Sequence, residues 1–534
     1  MRLWRLGTNS LTHDEGFSHE FASRPLIDIV TNLSEGNPPL YYTLPHGWRS
    51  AFGHSEVSLR LPSVLFGFAA VWLTGGVAQR LGGRHLAWLS MGLMAAAAMP
   101  VEFSQIARAY SSLLAFSLGS YLCLLRWEDH PRRERALLYG LVTVLMGYTH
   151  YYAIFNVVAQ QTSVAWQVVN RRVSLRQWAV LLLPILLGYL PYLWIMSRHG
   201  PSLGEQTSWI TRLDPLVLIV TLWLYVAHGP APGLVWGYLA LGVIGLFTLV
   251  RSGHAVVSAH PAGGATSKST PQASTHRSTH GLLLPLWLGC PLIIPWLVSL
   301  MTRPIFWPRY TISAAPAFLI LVSLGLLRIP TRVGRLAVAC GLAAISAVSL
   351  SHHYAREPEA WRAAVRTLES VEQPGDALTI SDEGIRPVFS YYYRGSLTAH
   401  PLPSAVSEQQ RAGVQESLRR VTAGRTRLWM VVFPEPRPGR LISEVFVETY
   451  PAARLVAAKA FAGPIYLLGY DLATRDSVLD HAPGDTVPHR KQKRLGAASQ
   501  PFVTITREYQ TDSPSQQAGP MGLPLARDGP GSGS

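Results

Sequence analysis

The chain has 534 residues, 48% of them hydrophobic and only 14% charged, with a formal net charge of +15. Soluble domains carry roughly 25% charged residues, so the composition excludes an ordinary soluble enzyme, and the positive charge is read against a membrane before nucleic acid. The three cysteines, Cys123, Cys290 and Cys340, lie inside apolar runs without disulfide or ligand spacing and read as small packed hydrophobes.

Residues 1–56 are polar and rich in turn formers. Met1 to Asn9 is basic but runs into Thr12-His13-Asp14-Glu15 instead of an apolar stretch, so no cleavable signal peptide is expected. Residues 25–33 read as a short helix, and Pro38-Pro39 starts Leu40-Tyr41-Tyr42 as an extended segment or a first helical turn. From Val57 onward, apolar windows approach the roughly 20 residues that cross a bilayer core as a helix. They fall at 57–79, 86–101, 106–126, 136–150, 152–168, 177–196, 234–250, 281–301, 310–328 and 333–351, which makes about ten spans in a membrane domain over 57–351.

Loop charge orients these spans. Arg80 and Arg84, then Arg126 to Arg135, then Arg171, Arg172 and Arg176 occupy alternate loops, which the positive-inside rule assigns to the cytoplasm. Residues 1–56, the 101–106 connection, the turn at His150 and residues 196–214 then face outward. If 213–228 crossed fully, the Arg- and Lys-bearing linker 252–280 would lie outside. A segment that instead lies on or re-enters from the outer face returns this flexible, Gly/Ser/His/Pro-rich linker to the cytoplasm.

After Ser351 the pattern changes. A surface helix over 359–371, a strand over Ala377–Ser381, a helix over 404–421 and strands near 428–433, 454–460 and 465–468 predict a small exterior α/β domain over 352–482. Residues 483–534, with the basic run Arg490 to Arg494, read as a disordered tail. The expected fold is a multi-span α-helical integral membrane protein with a small C-terminal extracytoplasmic α/β domain.

The polar residues on the exterior side include His13, Asp14, Glu15, Asn37, Arg60, Glu102, Arg108, Tyr110, His150, Arg303, Arg309 and Tyr310. Ionised groups at span ends are costly unless they face a cavity or a partner. A carboxylate able to deprotonate an acceptor, with arginines to bind phosphate, suits transfer from a lipid phosphate. Each residue also has a plainer reading. Arg309 could snorkel to headgroups, Arg108 could pair with Glu102, Glu15 could hold Arg60 or Arg108, and His150 could simply pack in its turn. Asn32-Leu33-Ser34 is formally a glycosylation acceptor, a pattern common by chance.

The ordered set Leu11-Thr12-His13-Asp14-Glu15, Asn37-Pro38-Pro39-Leu40-Tyr41-Tyr42, Leu59-Arg60-Leu61-Pro62, Gln105-Ile106-Ala107-Arg108-Ala109-Tyr110, Tyr148-Thr149-His150-Tyr151-Tyr152 and Pro308-Arg309-Tyr310 resembles the bacterial polyprenyl-phosphate-sugar-dependent glycosyltransferases. These are GT-C superfamily proteins related to protein O-mannosyltransferases and aminoarabinose transferases, and the resemblance covers about residues 3–350.

The resemblance implies a GT-C fold. It also implies an inverting single displacement in which an Asp of the first exterior loop is general base on the acceptor hydroxyl and polyprenyl phosphate is the leaving group. Asp14, beside Glu15, matches that base. Arg309 matches the position near the lipid phosphate, and Arg108 with its following aromatic matches one near the first loop. The expected site is thus catalytic Asp14 and Glu15, with Arg60, Glu102, Arg108, Tyr110, His150, Arg303, Arg309 and Tyr310 binding substrate.

The chain departs from the family pattern twice. Members usually carry one more transmembrane helix before the Asp loop, and Met1 to Leu6 resembles the end of that helix. Ile106 stands where relatives have an acidic residue, and Glu102 would substitute if i and i+4 share a helix face. Asp14, Glu15 and Glu102 could be assembled around a divalent ion, but no standard ligand spacing is present, so no metal site is assigned.

The expected activity moves a sugar, mannose being one candidate, from a polyprenyl-phosphate carrier to a lipid, glycan or protein acceptor. It takes place at the extracytoplasmic face of the cell membrane, with membrane lipids and no nucleic acid as partners. The rivals are a lipid-linked-sugar flippase, which would show internal repeats and midplane charges, and a non-catalytic envelope assembly component.

Overall fold

The computed structural model describes residues 1–31, 37–203, 210, 214–227, 235–257, 282–434 and 439–472. Most of the expected linker, the ends of 213–228, the Asn32-Leu33-Ser34 pattern and the tail lie outside the described residues. The chain divides into two units, Met1–Thr8 with Phe17–Arg356 and Asn9–Gly16 with Glu357–Ser534. Helix α1 (His13–Phe21) opens in the second unit and ends in the first.

In the first unit α2 (Leu26–Thr31) and α3 (Leu40–Phe52) precede α4 (Glu56–Gly82). Ser55 caps α4 by accepting the Ser58 amide, and Gly83, at φ +84°, ends it in a conformation that disfavours side chains. The chain then forms α5 (Arg84–Ala96), α6 (Ala98–Glu102), α7 (Tyr110–Asp129), α8 (Arg133–Gly147), α9 (Ala153–Val169), α10 (Leu175–Leu203), α11 (Leu216–Val226) and α12 (Val235–Val257). After these come α13 (Leu283–Met301), a 3₁₀ turn (Pro308–Ala314), α14 (Ala315–Leu327) and α15 (Arg332–Ala355).

Five stretches among the described residues are long and apolar enough to cross a membrane: Glu56–Gly82, Leu175–Arg198, Leu283–Met301, Pro308–Leu327 and Arg332–Ala355. Helices α5 to α9 and α12 fall within the windows at 86–101, 106–126, 136–150, 152–168 and 234–250 or close to them, but α8 and α9 have only 15 and 17 residues. The α11 helix has 11 residues. At 1.5 Å per residue it is about 16 Å long, about half a hydrocarbon core.

Burial separates core from lipid-facing helices. The sequence of α14 is apolar all round, and its segment is 83% buried, as a central helix should be. The α10 segment is equally apolar but only 17% buried, with Leu183, Leu186, Leu187, Leu190 and Trp194 all more than half exposed. Such a face has no place in water and marks contact with lipid. Helices α12 and α14 pack backbone to backbone: a Cβ on Gly245 would collide with the Leu321 carbonyl, and one on Gly325 with the Leu241 carbonyl.

A polar seam runs through this apolar unit. Asn156, Gln160, Ser163 and Gln167 recur on one face of α9, all buried. Asn156 donates to Ser313 Oγ (2.9 Å), Tyr139 and Ser120 donate to Gln160 Oε1, and Gln167 donates to Glu128 (2.6 Å). Hydrogen bonds of this kind hold helices together where no water competes. Residues 1–8 form turns rather than a helix, anchored by side chains that grip their carbonyls: Arg60 donates to Leu6 O (2.8 Å), Gln105 to Trp4 O (2.8 Å) and Tyr354 to Met1 O (2.7 Å).

The second unit is the α/β domain. Its five-stranded sheet has the order β2-β1-β4-β7-β6, with β1 (Ala377–Ser381), β2 (Ala399–Leu402), β4 (Arg427–Val432), β6 (Arg454–Phe461) and β7 (Ile465–Asp471). Strand β1 pairs in parallel with β2 and β4, and β7 runs antiparallel to both β4 and β6. Strands β3 (Ala405–Val406) and β5 (Arg440–Leu441) form a separate pair. Helices α16 (Trp361–Val371), α17 (Arg386–Tyr392), α18 (Glu408–Thr422) and α19 (Ile442–Thr449) complete the unit.

Buried Leu418, Leu428, Met430, Val445, Phe446 and Leu468 form much of its core. The turn predicted at Pro374-Gly375-Asp376 is locked by Asp376, which accepts from Arg427 (3.1 Å) and from the Trp429 indole (2.9 Å). Strands β1, β4, β6 and β7 and helices α16 and α18 lie where the sequence predicts them, whereas β2, β3, β5, α17 and α19 are not predicted; Ile442–Thr449 is rich in β-branched residues and reads more like a strand than a helix.

Candidate active site

The expected site residues fall in both units. Asp14 and Glu15 belong to the second, on the first turn of α1. The motif Thr12-His13-Asp14-Glu15 makes a capping box: the Glu15 amide donates to Thr12 Oγ1 (3.3 Å), and Glu15 Oε2 accepts the Thr12 amide (3.0 Å). This S/T-x-x-E signature is legible in the sequence, and it explains why Glu15 is fully buried. Asp14 sits one position earlier with its side chain 20% exposed, at a helix start whose dipole favours a carboxylate.

The C-terminal domain supplies the partners that fix this turn. Ser10 Oγ donates to Glu357 (3.1 Å), and the Leu11 amide donates to Tyr392 Oη (2.7 Å). The His13 amide donates to Glu359 Oε2 (2.7 Å). A Cβ on Gly16 would meet the Val388 backbone nitrogen at 2.6 Å, so a glycine after Asp14-Glu15 permits close approach to α17. Sequence reading gave no sign of Glu357, Glu359 or Tyr392 in this role, because they lie more than 340 residues away.

The first unit assembles a second group. Arg108, Tyr110 and His150 are buried, and Arg309 and Tyr310 partly so. The Tyr310 ring centroid lies 5.3 Å from His150, 6.2 Å from Tyr110 and 5.4 Å from Tyr152. The Arg309 guanidinium carbon is 5.8 Å from the centroids of both Tyr110 and Tyr310, within cation–π range. Pro308 opens the 3₁₀ turn that presents Arg309. Tyr152 holds the neighbouring loop by donating to Ile305 O (2.6 Å).

His150 occupies the turn between α8 and α9, where its Nδ1 accepts the Tyr152 amide (3.1 Å). Burial, reinforced by the positive charges of Arg108 and Arg309, lowers its pKa to about 3. The ring is therefore neutral at physiological pH and adds no positive charge to the two guanidiniums. Arg309 against two tyrosine rings, with Arg108 and a neutral imidazole nearby, can bind an anion such as a phosphate.

Arg60 is buried and donates to the Leu6 carbonyl, and Arg303 lies on the exposed loop after α13. Helix α6 ends at Glu102, and residues 103–109 are turns and bends. The expected i, i+4 relation between Glu102 and Ile106 is therefore absent, since the helix ends at Glu102 and the connection to α7 begins at Phe103. Among the described residues no group of three or more His, Cys, Asp or Glu side chains is arranged around a common metal position.

Residues 12–199 match the family described as dolichyl-phosphate-mannose-protein mannosyltransferase. No curated protein sequence matches the chain. The crystal structure of ArnT from Cupriavidus metallidurans bound to undecaprenyl phosphate is similar at 15% identity and a TM-score of 0.56, over 88% of this chain and 95% of that one. The same protein in its apo state aligns at 13% identity and a TM-score of 0.43 over the same shares. The oligosaccharyltransferase AglB from Archaeoglobus fulgidus, in complex with an inhibitory peptide and a dolichol-phosphate, aligns at 10% identity and 0.46, over 74% of this chain and 61% of that one. The first of these likenesses is one of fold.

Proposed function

We propose that the chain, whose residues 12–199 match the dolichyl-phosphate-mannose-protein mannosyltransferase family and whose fold is similar to that of ArnT, transfers a sugar from a polyprenyl-phosphate carrier to a lipid, glycan or protein hydroxyl at the extracytoplasmic face, with inversion. Asp14 takes the proton of the acceptor hydroxyl. The acceptor oxygen then attacks the anomeric carbon, and the carrier phosphate leaves with the bonding pair. Arg309 and Arg108 hold the phosphate, whose charge grows as the bond breaks, so their attraction is stronger in the transition state than in the ground state.

The observation that carries this reading is Asp14 itself, a partly exposed carboxylate on a helix start that a capping box and the C-terminal domain hold rigid. Rigid placement matters because general base catalysis requires the carboxylate within hydrogen-bond reach of the proton it removes. Glu15 serves this reading as the residue that holds the turn. The Arg108–Arg309 group supports the donor side, with Tyr110, His150 and Tyr310 shaping it.

The test reconstitutes the full chain in liposomes with a panel of labelled undecaprenyl-phosphate sugars, mannose and aminoarabinose among them. Wild type transfers or hydrolyses at least one labelled sugar, and Asp14→Asn loses about 100-fold or more in kcat. Equal turnover by both proteins removes Asp14 from the role of base. Movement of intact carrier across the bilayer without sugar release identifies a flippase instead.

A further inference from the structure

Glu359 lies two residues before α16, with its side chain only 10% exposed. It accepts three hydrogen bonds. The His13 amide (2.7 Å) and the Trp361 indole (2.6 Å) donate to Oε2, and His13 Nδ1 lies 2.8 Å from Oε1. An ionised carboxylate can only accept, so Nδ1 carries the hydrogen and the tautomer is set. Phe433 lies against the ring, at 5.2 Å between centroids. The opposite nitrogen, Nε2, is thereby turned toward Asp14 and stands 3.9 Å from its Oδ1.

Backbone and hydroxyl bonds from Ser10, Leu11 and His13 already hold residues 9–16 on the domain. The bond to the imidazole does something else: it aims a basic nitrogen at the residue proposed as base. The His13 side chain is also 36% exposed, so the ring reaches solvent.

We propose that His13, oriented by Glu359, is a positioning residue and proton relay behind Asp14. The proposal rests on the reading of Asp14 as general base. As the acceptor oxygen bonds to the anomeric carbon, the bond from that carbon to the carrier phosphate oxygen breaks and the phosphate keeps the electron pair. The hydroxyl proton passes to Asp14. From there it moves to His13 Nε2, across about 1 Å of side-chain rotation or one bridging water. Asp14 returns to the carboxylate, Glu359 stabilises the imidazolium through Nδ1–H, and the proton leaves to water at the exposed ring edge. Glu359 thus stands to His13 as an orienting carboxylate stands to a catalytic imidazole.

The experiment uses the full chain in liposomes with the panel of labelled undecaprenyl-phosphate sugars. It compares wild type with Asp14→Asn, His13→Ala, His13→Asn and Glu359→Gln. His13→Asn keeps a donor for Glu359 but has no relay nitrogen, which guards against loss by misfolding. Both His13 variants are expected to lose about 100-fold in kcat with the donor KM within about twofold of wild type. Added imidazole restores His13→Ala in proportion to its concentration. Glu359→Gln loses about 10-fold, and neither it nor Asp14→Asn responds to imidazole.

Wild-type kcat in both His13 variants, with Asp14→Asn inactive, overturns the relay and leaves the base standing. Loss in His13→Ala that imidazole does not restore, or a loss confined to KM, also overturns the relay. Full activity of Asp14→Asn, or a wild type that consumes no donor, overturns the underlying reading and the relay with it.

Discussion

Replacing His150 with Asn isolates the electrostatics of the arginine–tyrosine group from its packing. His150 is 4% exposed, and its Nδ1 accepts the Tyr152 amide, an interaction that protonation at that nitrogen would destroy. Burial first, and then Arg108 and Arg309, hold its pKa at about 3, against 6.5 ordinarily. Above 6.5 the ring is neutral whether the chain is folded or unfolded, and the stability it contributes is fully present. Below 6.5 the unfolded chain takes up a proton that the folded chain refuses, so stability falls as pH falls, at about 1.4 kcal/mol per pH unit, until about 3.

At about pH 5 the accumulated loss is about 2 kcal/mol. Asn places an oxygen near where Nδ1 lies, so His150→Asn keeps an acceptor for the Tyr152 amide but has nothing to titrate. Unfolding in detergent, followed by tryptophan fluorescence, is compared for the two proteins between about pH 7.5 and about pH 5. Other titrating groups cancel in the difference, among them His19, which burial, Arg49 and His54 lower to about 4. The wild type should lose about 2 kcal/mol more than the variant. Parallel losses in the two would refute the assignment of a neutral, arginine-flanked His150.

Other perturbations test separate parts. Arg309→Lys keeps the charge but not the planar fork and should lower kcat about 10-fold, with Arg309→Ala about 100-fold, read from initial rates at saturating donor. Gly325→Ala drives a Cβ into the Leu241 carbonyl and should force α12 from α14, which a fall of several degrees or more in Tm would show. Thr12→Ala removes one half of the capping box and should destabilise the start of α1 by about 1 kcal/mol, seen as faster amide exchange at residues 13–16. A cysteine placed at Glu383, whose side chain is 58% exposed, should be labelled by an impermeant maleimide added outside intact cells if the α/β domain is extracytoplasmic. Labelling only after lysis would reverse the proposed orientation.

What could be read before folding was whatever the bilayer or the local backbone dictates. In lipid each helix must satisfy its own backbone within one segment, so the spans announce themselves as apolar runs, and the five long helices lie where those runs lie. The capping box is likewise local, since Thr12 and Glu15 are three residues apart. The strands β1, β4 and β7 were visible for the same reason, as short apolar runs between turn formers. The order of short motifs was also enough to point to the GT-C fold that the structure shows.

Tertiary structure decided how each polar residue is used. Nothing in the sequence shows that Arg60 donates to Leu6 O, and Glu102 looks one turn away from Ile106 until α6 stops at Glu102. Tyr110, His150 and Tyr310 gather around Arg309 from three separate turns, with nothing in their spacing to say so. Glu359 reaches His13 across 346 positions. A hydrogen bond that fixes a tautomer leaves no periodic trace, because its donor and acceptor meet only after every intervening helix and strand has packed.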